Sequence, residues 1–180
     1  MPNVLVYTPT WEVGPGYAIH PDCEAAIKAQ RDTFDGKVDW CIGLENPYPI
    51  GQHRNVLAQY QKAQEILLAD DYYDALLTVE HDNVMTRPDT LQLMYDTPAD
   101  VVYAPYQLRH GAFVLNTWQY INDVNLGMPL NNYPEELALY KAAGVGRICG
   151  CGMGCTLFRR HTLERIPFRG GDGEQWGKRT

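Results

Sequence analysis

The sequence is poor in basic residues and has no long hydrophobic run. Fifteen Lys and Arg stand against 22 Asp and Glu, a formal net charge of -7. A general nucleic-acid binder needs a clustered basic surface, so we expect no nucleic-acid partner. No run approaches the roughly 18 apolar residues of a membrane span, and the start, MPNVLVYTPT, lacks the pattern of an export signal. We expect a soluble, cytoplasmic protein.

Paired cysteine motifs are also lacking. Five Cys are an odd number in a chain with no export signal, so reduced thiols are expected. Cys149, Cys151 and Cys155 lie close together in CGCGMGC, but a structural zinc site usually needs a second pair of Cys or His. We interpret these residues as small side chains packed in a tight loop and strand.

The sequence does contain an alternation of β-type and helical segments. At 180 residues and 45% apolar content it suits one domain, 1–180. The patterns predict strands at 3–8, 38–44, 74–79 and 100–106 and helices at about 21–34, 53–70 and 88–95. Such alternation predicts an α/β fold, a three-layer α/β/α sandwich with a mostly parallel central sheet.

The second part of the chain has a weaker pattern. Residues 107–147 mix turn residues with aromatics, which is consistent with an elaborated surface region. After them, CGCGMGCTLF predicts a Gly-rich loop and a strand, and RRHTLERI predicts a short helix. No internal repeat, low-complexity tract or domain linker is present.

Two acidic residues follow the third predicted strand, in ALLTVEHDN (75–83). Ligands of open α/β sheets bind outside the carboxyl ends of the strands. Glu80 and Asp82 are two residues apart, so in an extended segment they point to the same side. Two carboxylates can hold Mg²⁺ or Mn²⁺, whose shell substrate phosphates and water complete. The alternative is an ordinary strand end in which Asp82 and Asn83 form a turn.

The order of strand, acid-x-acid, Pro88 and helix resembles the Asp-x-Asp region of nucleotide-sugar glycosyltransferases with the GT-A fold, especially family 2. The resemblance extends over most of the chain. VLVYTPT is similar to the opening strand of the family, and HRNVLAQYQKAQEILLADDYYDALLTVEHDN to its Arg-Asn helix, Tyr-Asp pair, third strand and metal motif. GCGMGCTLFRRHTLERIPF is similar to its Gly-rich strand, Arg-Arg pair and short acceptor-side helix. Glu80 replaces the usual first Asp.

The resemblance implies a GT-A-like (Rossmann-like) fold with a nucleotide-binding half, 1–106, and an acceptor-side half, 107–180, that is short at its C-terminus. It implies an inverting, metal-dependent glycosyltransferase. The sugar would pass from a nucleoside-diphosphate-sugar donor to a hydroxyl of a carbohydrate or other acceptor. Mn²⁺ or Mg²⁺ would bridge the diphosphate and stabilise charge on the leaving group.

The same resemblance implies roles for particular residues. Asp82 and Glu80 are the implied metal ligands. The residues implied to contact the donor are Thr8, Pro9, Thr10, Glu12, Glu45, Arg54, Glu80 and His81. Asp172 and Glu174 are candidates for the catalytic general base, since the family uses a carboxylate downstream of the Gly-rich strand. For each, the alternative is a solvated turn in a Gly-rich tail.

Two other functions stay open. A sugar-phosphate nucleotidyltransferase shares the sheet layout, but such enzymes normally carry a basic, Gly-rich loop after the first strand. Here no Lys or Arg occurs between Met1 and Lys28. A non-catalytic nucleotide- or carbohydrate-binding module of the same fold would bind a nucleoside diphosphate with metal and neither transfer nor hydrolyse the sugar.

Overall fold

The structure is a computed structural model. It describes residues 1–10, 19–43, 53–106, 117–120, 127–129 and 150–169, together with positions 135, 138, 142–144, 146 and 148. The helices and strands are β1 (Asn3–Thr8), α1 (Pro21–Thr33), β2 (Lys37–Ile42), α2 (His53–Leu68), β3 (Ala75–Val79), α3 (Thr90–Asp96), β4 (Val101–Tyr103), β5 (Thr117–Tyr120), β6 (Gly127–Pro129), β7 (Gly150–Cys151), β8 (Cys155–Arg159) and α4 (Arg160–Arg165).

Five of the described strands form the central sheet, in the order β2-β1-β3-β8-β4. β1 pairs parallel to β2 and to β3. β8 pairs antiparallel to β3 and to β4, so β8 alone among these five runs in the opposite direction. The prediction of a mostly parallel central sheet is confirmed.

Helices cover both faces of this sheet. Alternate residues of β1 point to opposite faces, as the pleat of a strand requires. Val4 and Val6 belong to the core that α1 and α3 cover, while Leu5 and Tyr7 belong to the core that α2 and α4 cover. Val4, Leu5 and Val6 are all 0% exposed, which explains the unbroken apolar run of a strand buried on both faces. The predicted three-layer α/β/α arrangement is therefore confirmed.

The sequence patterns placed some element boundaries wrongly. β2 ends at Ile42 rather than at residue 44, and β4 ends at Tyr103 rather than at residue 106. Ala104 still donates its N–H to the carbonyl oxygen of Cys155 at 3.0 Å, but Pro105 has no N–H with which to continue the ladder. Three short strands, β6-β5-β7, form a second, antiparallel sheet that the weak pattern of residues 107–147 did not predict.

Within the described parts of the chain, no helix is long and apolar enough to cross a membrane.

Arg160 ties α4 to the connection between α2 and β3. Its guanidinium donates to the carbonyl oxygens of Leu67 at 2.8 Å, Asp70 at 2.6 Å and Tyr73 at 3.2 Å. Because β8 runs antiparallel to β3, its carboxyl end lies at the amino end of β3. Arg160 therefore lies at the sheet edge opposite to Glu80, where it stabilises the fold.

We expect Arg160→Ala to lower the free energy of unfolding by about 3 kcal/mol, because three carbonyl groups lose a charged hydrogen-bond donor. Arg165→Ala, an exposed position in the last turn of the same helix, is the control and should change stability by less than about 0.5 kcal/mol. Urea unfolding of both variants measures the difference. Equal stabilities would contradict this role.

Candidate functional site

The strand order creates a crevice at one edge of the sheet. From β1 the chain passes through α1 to β2 on one side, and then through α2 to β3 on the other side of β1. Since α1 and α2 lie on opposite faces, the carboxyl ends of β1 and β3 meet at a topological switch point, where open α/β sheets bind ligands. The residues at these ends are Thr8-Pro9-Thr10 and Glu80-His81-Asp82.

The start of β8 completes this edge. Val79, the last residue of β3, pairs with Cys155, the first residue of β8. Gly154 therefore lies directly beside Glu80, and the Glu80 N–H donates to the Gly154 carbonyl oxygen at 2.9 Å. Tyr106, which follows β4, accepts the N–H of Gly154 at 3.3 Å through its hydroxyl oxygen.

The backbone of the acid-bearing loop, 80–83, is held from several directions. The Glu80 carbonyl oxygen accepts the Asn83 N–H at 3.0 Å and the Cys23 thiol at 3.4 Å. The His81 carbonyl oxygen accepts the N–H of His20, which precedes α1, at 2.9 Å. The side chains of the loop are half-buried. Residues 80–83 therefore form a turn, and the expectation of an extended segment with both carboxylates on one side is wrong. These backbone contacts fix the loop from which the two carboxylates extend.

The charges of Glu80 and Asp82 converge on a buried hydroxyl. Tyr60, in α2, is 5% exposed, and its pKa lies well above the usual value because of burial and then because of the charge of Glu80, with further contributions from Tyr106 and Asp82. Burial and the charge of Asp82 also raise the pKa of Cys23, to about 11. Both carboxylates therefore lie within electrostatic reach of the same tyrosine.

This donor set fits a hard divalent cation that shares its coordination with a ligand. Carboxylate oxygens are the ligands that Mg²⁺ and Mn²⁺ use, and Mg²⁺ is commonly held by one or two of them together with phosphates and water. Among the described residues, no three His, Cys, Asp or Glu side chains group closely enough to hold a metal ion by themselves. Glu80 and Asp82 could thus supply part of a coordination shell.

The loop after β1 is buried and hydrogen-bonded. Thr8 is 0% exposed, and its hydroxyl oxygen accepts the indole N–H of Trp40 at 3.0 Å. The Thr10 hydroxyl donates to the carbonyl oxygen of Gly43. The Gln59 side-chain amide forms two hydrogen bonds with the backbone of Thr10. Its oxygen accepts the Thr10 N–H at 2.9 Å, and its nitrogen donates to the Thr10 carbonyl oxygen at 2.9 Å. These threonines hold the end of β1 against β2 and α2, and their contact with a donor stays a prediction.

The remaining predicted residues divide into two groups. Pro9 is buried between the two threonines, and His81 is half-buried between the two acids. Arg54 lies in the first turn of α2. The structure describes only the backbone of this residue. The predicted residues that lie outside the described part of the chain are Glu12, Glu45, Asp172 and Glu174.

Sequence reasoning missed several residues that build this edge. A Cβ on Gly154 would clash with Asn83 Nδ2 and would lie 2.6 Å from Cζ of Tyr106, so a larger residue fits only if these side chains move. The glycines of CGCGMGC were the signal for such a close approach. Tyr60 gave no signal of a role at this edge, because the apolar spacing of α2 accounts for it as a core residue. Gln59 belongs to the same helix and gave no signal either.

Comparisons with known proteins support the fold. No family model and no curated protein matches the chain. It is similar to the solved structure of A197 from STIV, with a TM-score of 0.51 and 17% identity over 91% of this chain and 68% of that chain. A 4-diphosphocytidyl-2C-methyl-D-erythritolsynthase from Anaerococcus prevotii DSM 20548 has a TM-score of 0.40 and 13% identity, over 97% and 80% of the two chains. That TM-score is too low to bear on activity.

We expect Gln59→Ala to lower the free energy of unfolding by about 2 to 4 kcal/mol, since the N–H and the carbonyl of buried Thr10 both lose their partner. Gln61→Ala, on the exposed side of the same helix, removes one exposed hydrogen bond to Phe168 and should cost less than about 1 kcal/mol. Chemical unfolding distinguishes the two, and a Gln59 variant as stable as the Gln61 variant would contradict this account.

The raised pKa of Cys23 predicts slow alkylation. With a pKa of about 11 in the folded protein and 9.0 as the ordinary value, only about 1% of this thiol is ionised at pH 9, against about half in the unfolded chain. The folded state holds this proton more tightly, so the contribution to stability is complete below pH 9 and is lost as the pH rises towards 11.

Iodoacetamide labelling of each cysteine, followed by mass spectrometry from pH 7 to 11, measures this difference. Half-buried Cys41 is the internal comparison and should react faster than Cys23 in the folded protein, while both should react alike in urea. A labelling midpoint near pH 9 for folded Cys23 would contradict both the burial of this thiol and its position near the charge of Asp82.

Proposed function

We propose that the chain is a metal-dependent glycosyltransferase that transfers a sugar from a nucleoside-diphosphate sugar to an acceptor hydroxyl with inversion. The observation that carries this proposal is the position of Glu80 and Asp82. They follow β3 at the switch point beside the carboxyl end of β1, and a backbone network holds their loop in place. The order of these elements along the chain is also that of the glycosyltransferases that the sequence resembles.

Mn²⁺ or Mg²⁺ would bind to Asp82, with Glu80 as second ligand or as a contact to ribose or bound water. When bound there, the cation would supply electrostatic stabilisation of the charge that develops on the leaving nucleoside diphosphate. Two carboxylates without a third protein ligand leave coordination positions for phosphate oxygens, which suits a cation that arrives with its substrate.

The chain after α4 lies against α2 as far as Phe168. Gln64 accepts the Phe168 N–H at 2.9 Å, and Gln61 donates to the Phe168 carbonyl oxygen at 3.0 Å. The Phe168 ring lies 5.8 Å from the ring of Tyr60, between centroids. Asp172 and Glu174 lie outside the described residues. On the resemblance to the glycosyltransferases, we propose that one of these carboxylates accepts the proton of the acceptor hydroxyl.

We expect Asp82→Asn to weaken metal-dependent nucleotide binding, because the amide keeps the size of the side chain and loses the charge. Calorimetric titration of UDP, GDP and their sugars, with Mn²⁺ and then with chelator, should show binding of one nucleotide that weakens at least about tenfold in the variant, or about 1.4 kcal/mol. Asp32→Asn, an exposed position in α1, is the control and should bind like the original protein.

Product analysis then separates the related functions. Release of the nucleoside diphosphate with a sugar joined to an acceptor, or to water in its absence, supports a transferase. Binding without any turnover would indicate the non-catalytic module. No binding of any nucleotide by the folded protein would contradict the proposal and leave EHDN as an ordinary strand end.

A further inference from the structure

Tyr60, in α2, carries a buried hydroxyl group. The residue is 5% exposed, and no hydrogen-bond partner for its oxygen is present in the described part of the chain. Buried tyrosine hydroxyls normally find a partner, because an unpaired polar group loses its hydration without compensation. Its ring is held in α2 and against Phe168, so packing fixes the direction of the hydroxyl.

The hydroxyl faces the acidic edge. After burial, the charge of Glu80 is the largest contribution to the raised pKa of Tyr60, and Tyr106 and Asp82 contribute as well. The Glu80 side chain also contributes through a hydrogen-bonding contact with Tyr60, although no partner with full hydrogen-bond geometry is present in the described part of the chain. A tyrosine hydroxyl carries its proton at neutral pH, so Tyr60 can act as a hydrogen-bond donor.

Asn83 places a second unpaired donor at the same edge. Its side-chain nitrogen is buried without a partner in the described part of the chain. The position of this nitrogen beside Gly154, next to the ring of Tyr106, follows from the contacts that a Cβ on Gly154 would make. Two unpaired donors, an O–H and an amide N–H, thus accompany the two carboxylates.

We propose that Tyr60 donates a hydrogen bond to an acceptor oxygen of the ligand that Glu80 and Asp82 hold, which makes Tyr60 a binding residue of the donor site. This inference rests on the proposed function. A cation alone would not satisfy an O–H donor, whereas a nucleoside-diphosphate sugar brings acceptor oxygens on its phosphates and on its sugar. The ligand would thus supply the partner that the buried hydroxyl does not find in the described part of the chain.

The test is Tyr60→Phe, which keeps the ring and removes the oxygen. Titration in the presence of Mn²⁺ uses UDP, GDP, their sugars and inorganic pyrophosphate as probes. We expect the dissociation constant of the bound nucleotide to rise about fivefold to twentyfold, as for the loss of one hydrogen bond to a charged or polar ligand. The thermal midpoint of the free protein should stay the same or rise, since no partner is lost.

Tyr73→Phe is the matched control. Its hydroxyl donates to the Asp39 carboxylate at 3.2 Å, and Tyr73 precedes β3, at the opposite edge of the sheet. This variant should show a lower thermal midpoint and an unchanged dissociation constant, the reverse of the result for Tyr60→Phe. The comparison separates a hydroxyl that serves the ligand from one that serves the fold.

Each outcome decides the inference. A loss of affinity already seen with UDP, GDP or pyrophosphate assigns the contact to a phosphate oxygen, and a loss seen only with the nucleotide sugars assigns it to the sugar. Unchanged affinity for every probe, or a lower thermal midpoint without loss of affinity, overturns the role of Tyr60 and leaves the proposed function standing. If the original protein binds none of the probes, both proposals fail together.

Discussion

The parallel pairing of β1 with both β2 and β3 is the constraint on which the rest of this structure depends. It places β1 in the interior of the sheet, where Val4, Leu5 and Val6 lose all contact with solvent. The chain must pass from one side of β1 to the other, so α1 and α2 cover opposite faces. The crevice at the carboxyl ends of β1 and β3 follows from that crossing.

The two loops at this crevice use their polar groups differently. After β1, Thr10 is held by Gln59 and Gly43, so hydrogen bonds within the protein occupy the loop. After β3, the backbone of Glu80 is occupied while its carboxylate lies beside Tyr60. A buried hydroxyl without a full hydrogen bond costs about 1 to 3 kcal/mol of stability, and Tyr60 has no such bond in the described part of the chain.

The sequence predicted the elements that local patterns determine. The apolar run of β1 and the three-to-four spacing of α2 were sufficient for the central α/β unit. The place of β8 between β3 and β4 depends on pairing between distant segments, so its direction could not be read from the sequence. For that reason the Arg159-Arg160 pair, expected on the acceptor side, lies at the sheet edge opposite to Glu80. Likewise, the contacts of Gln59 and the neighbours of Tyr60 are tertiary features without a local signal.

The central claim is that a divalent cation binds with a nucleotide at the carboxyl ends of β1 and β3. The most direct test is nuclear magnetic resonance of the ¹⁵N-labelled protein, with a small amount of Mn²⁺ added in the presence of the nucleotide. Paramagnetic broadening should be strongest at the amides of Thr10, Asp82 and Gly154, and the amides of Tyr73 and Arg160 at the opposite edge should keep their signals. Broadening centred on the opposite edge, or spread evenly over exposed acids, would contradict the account.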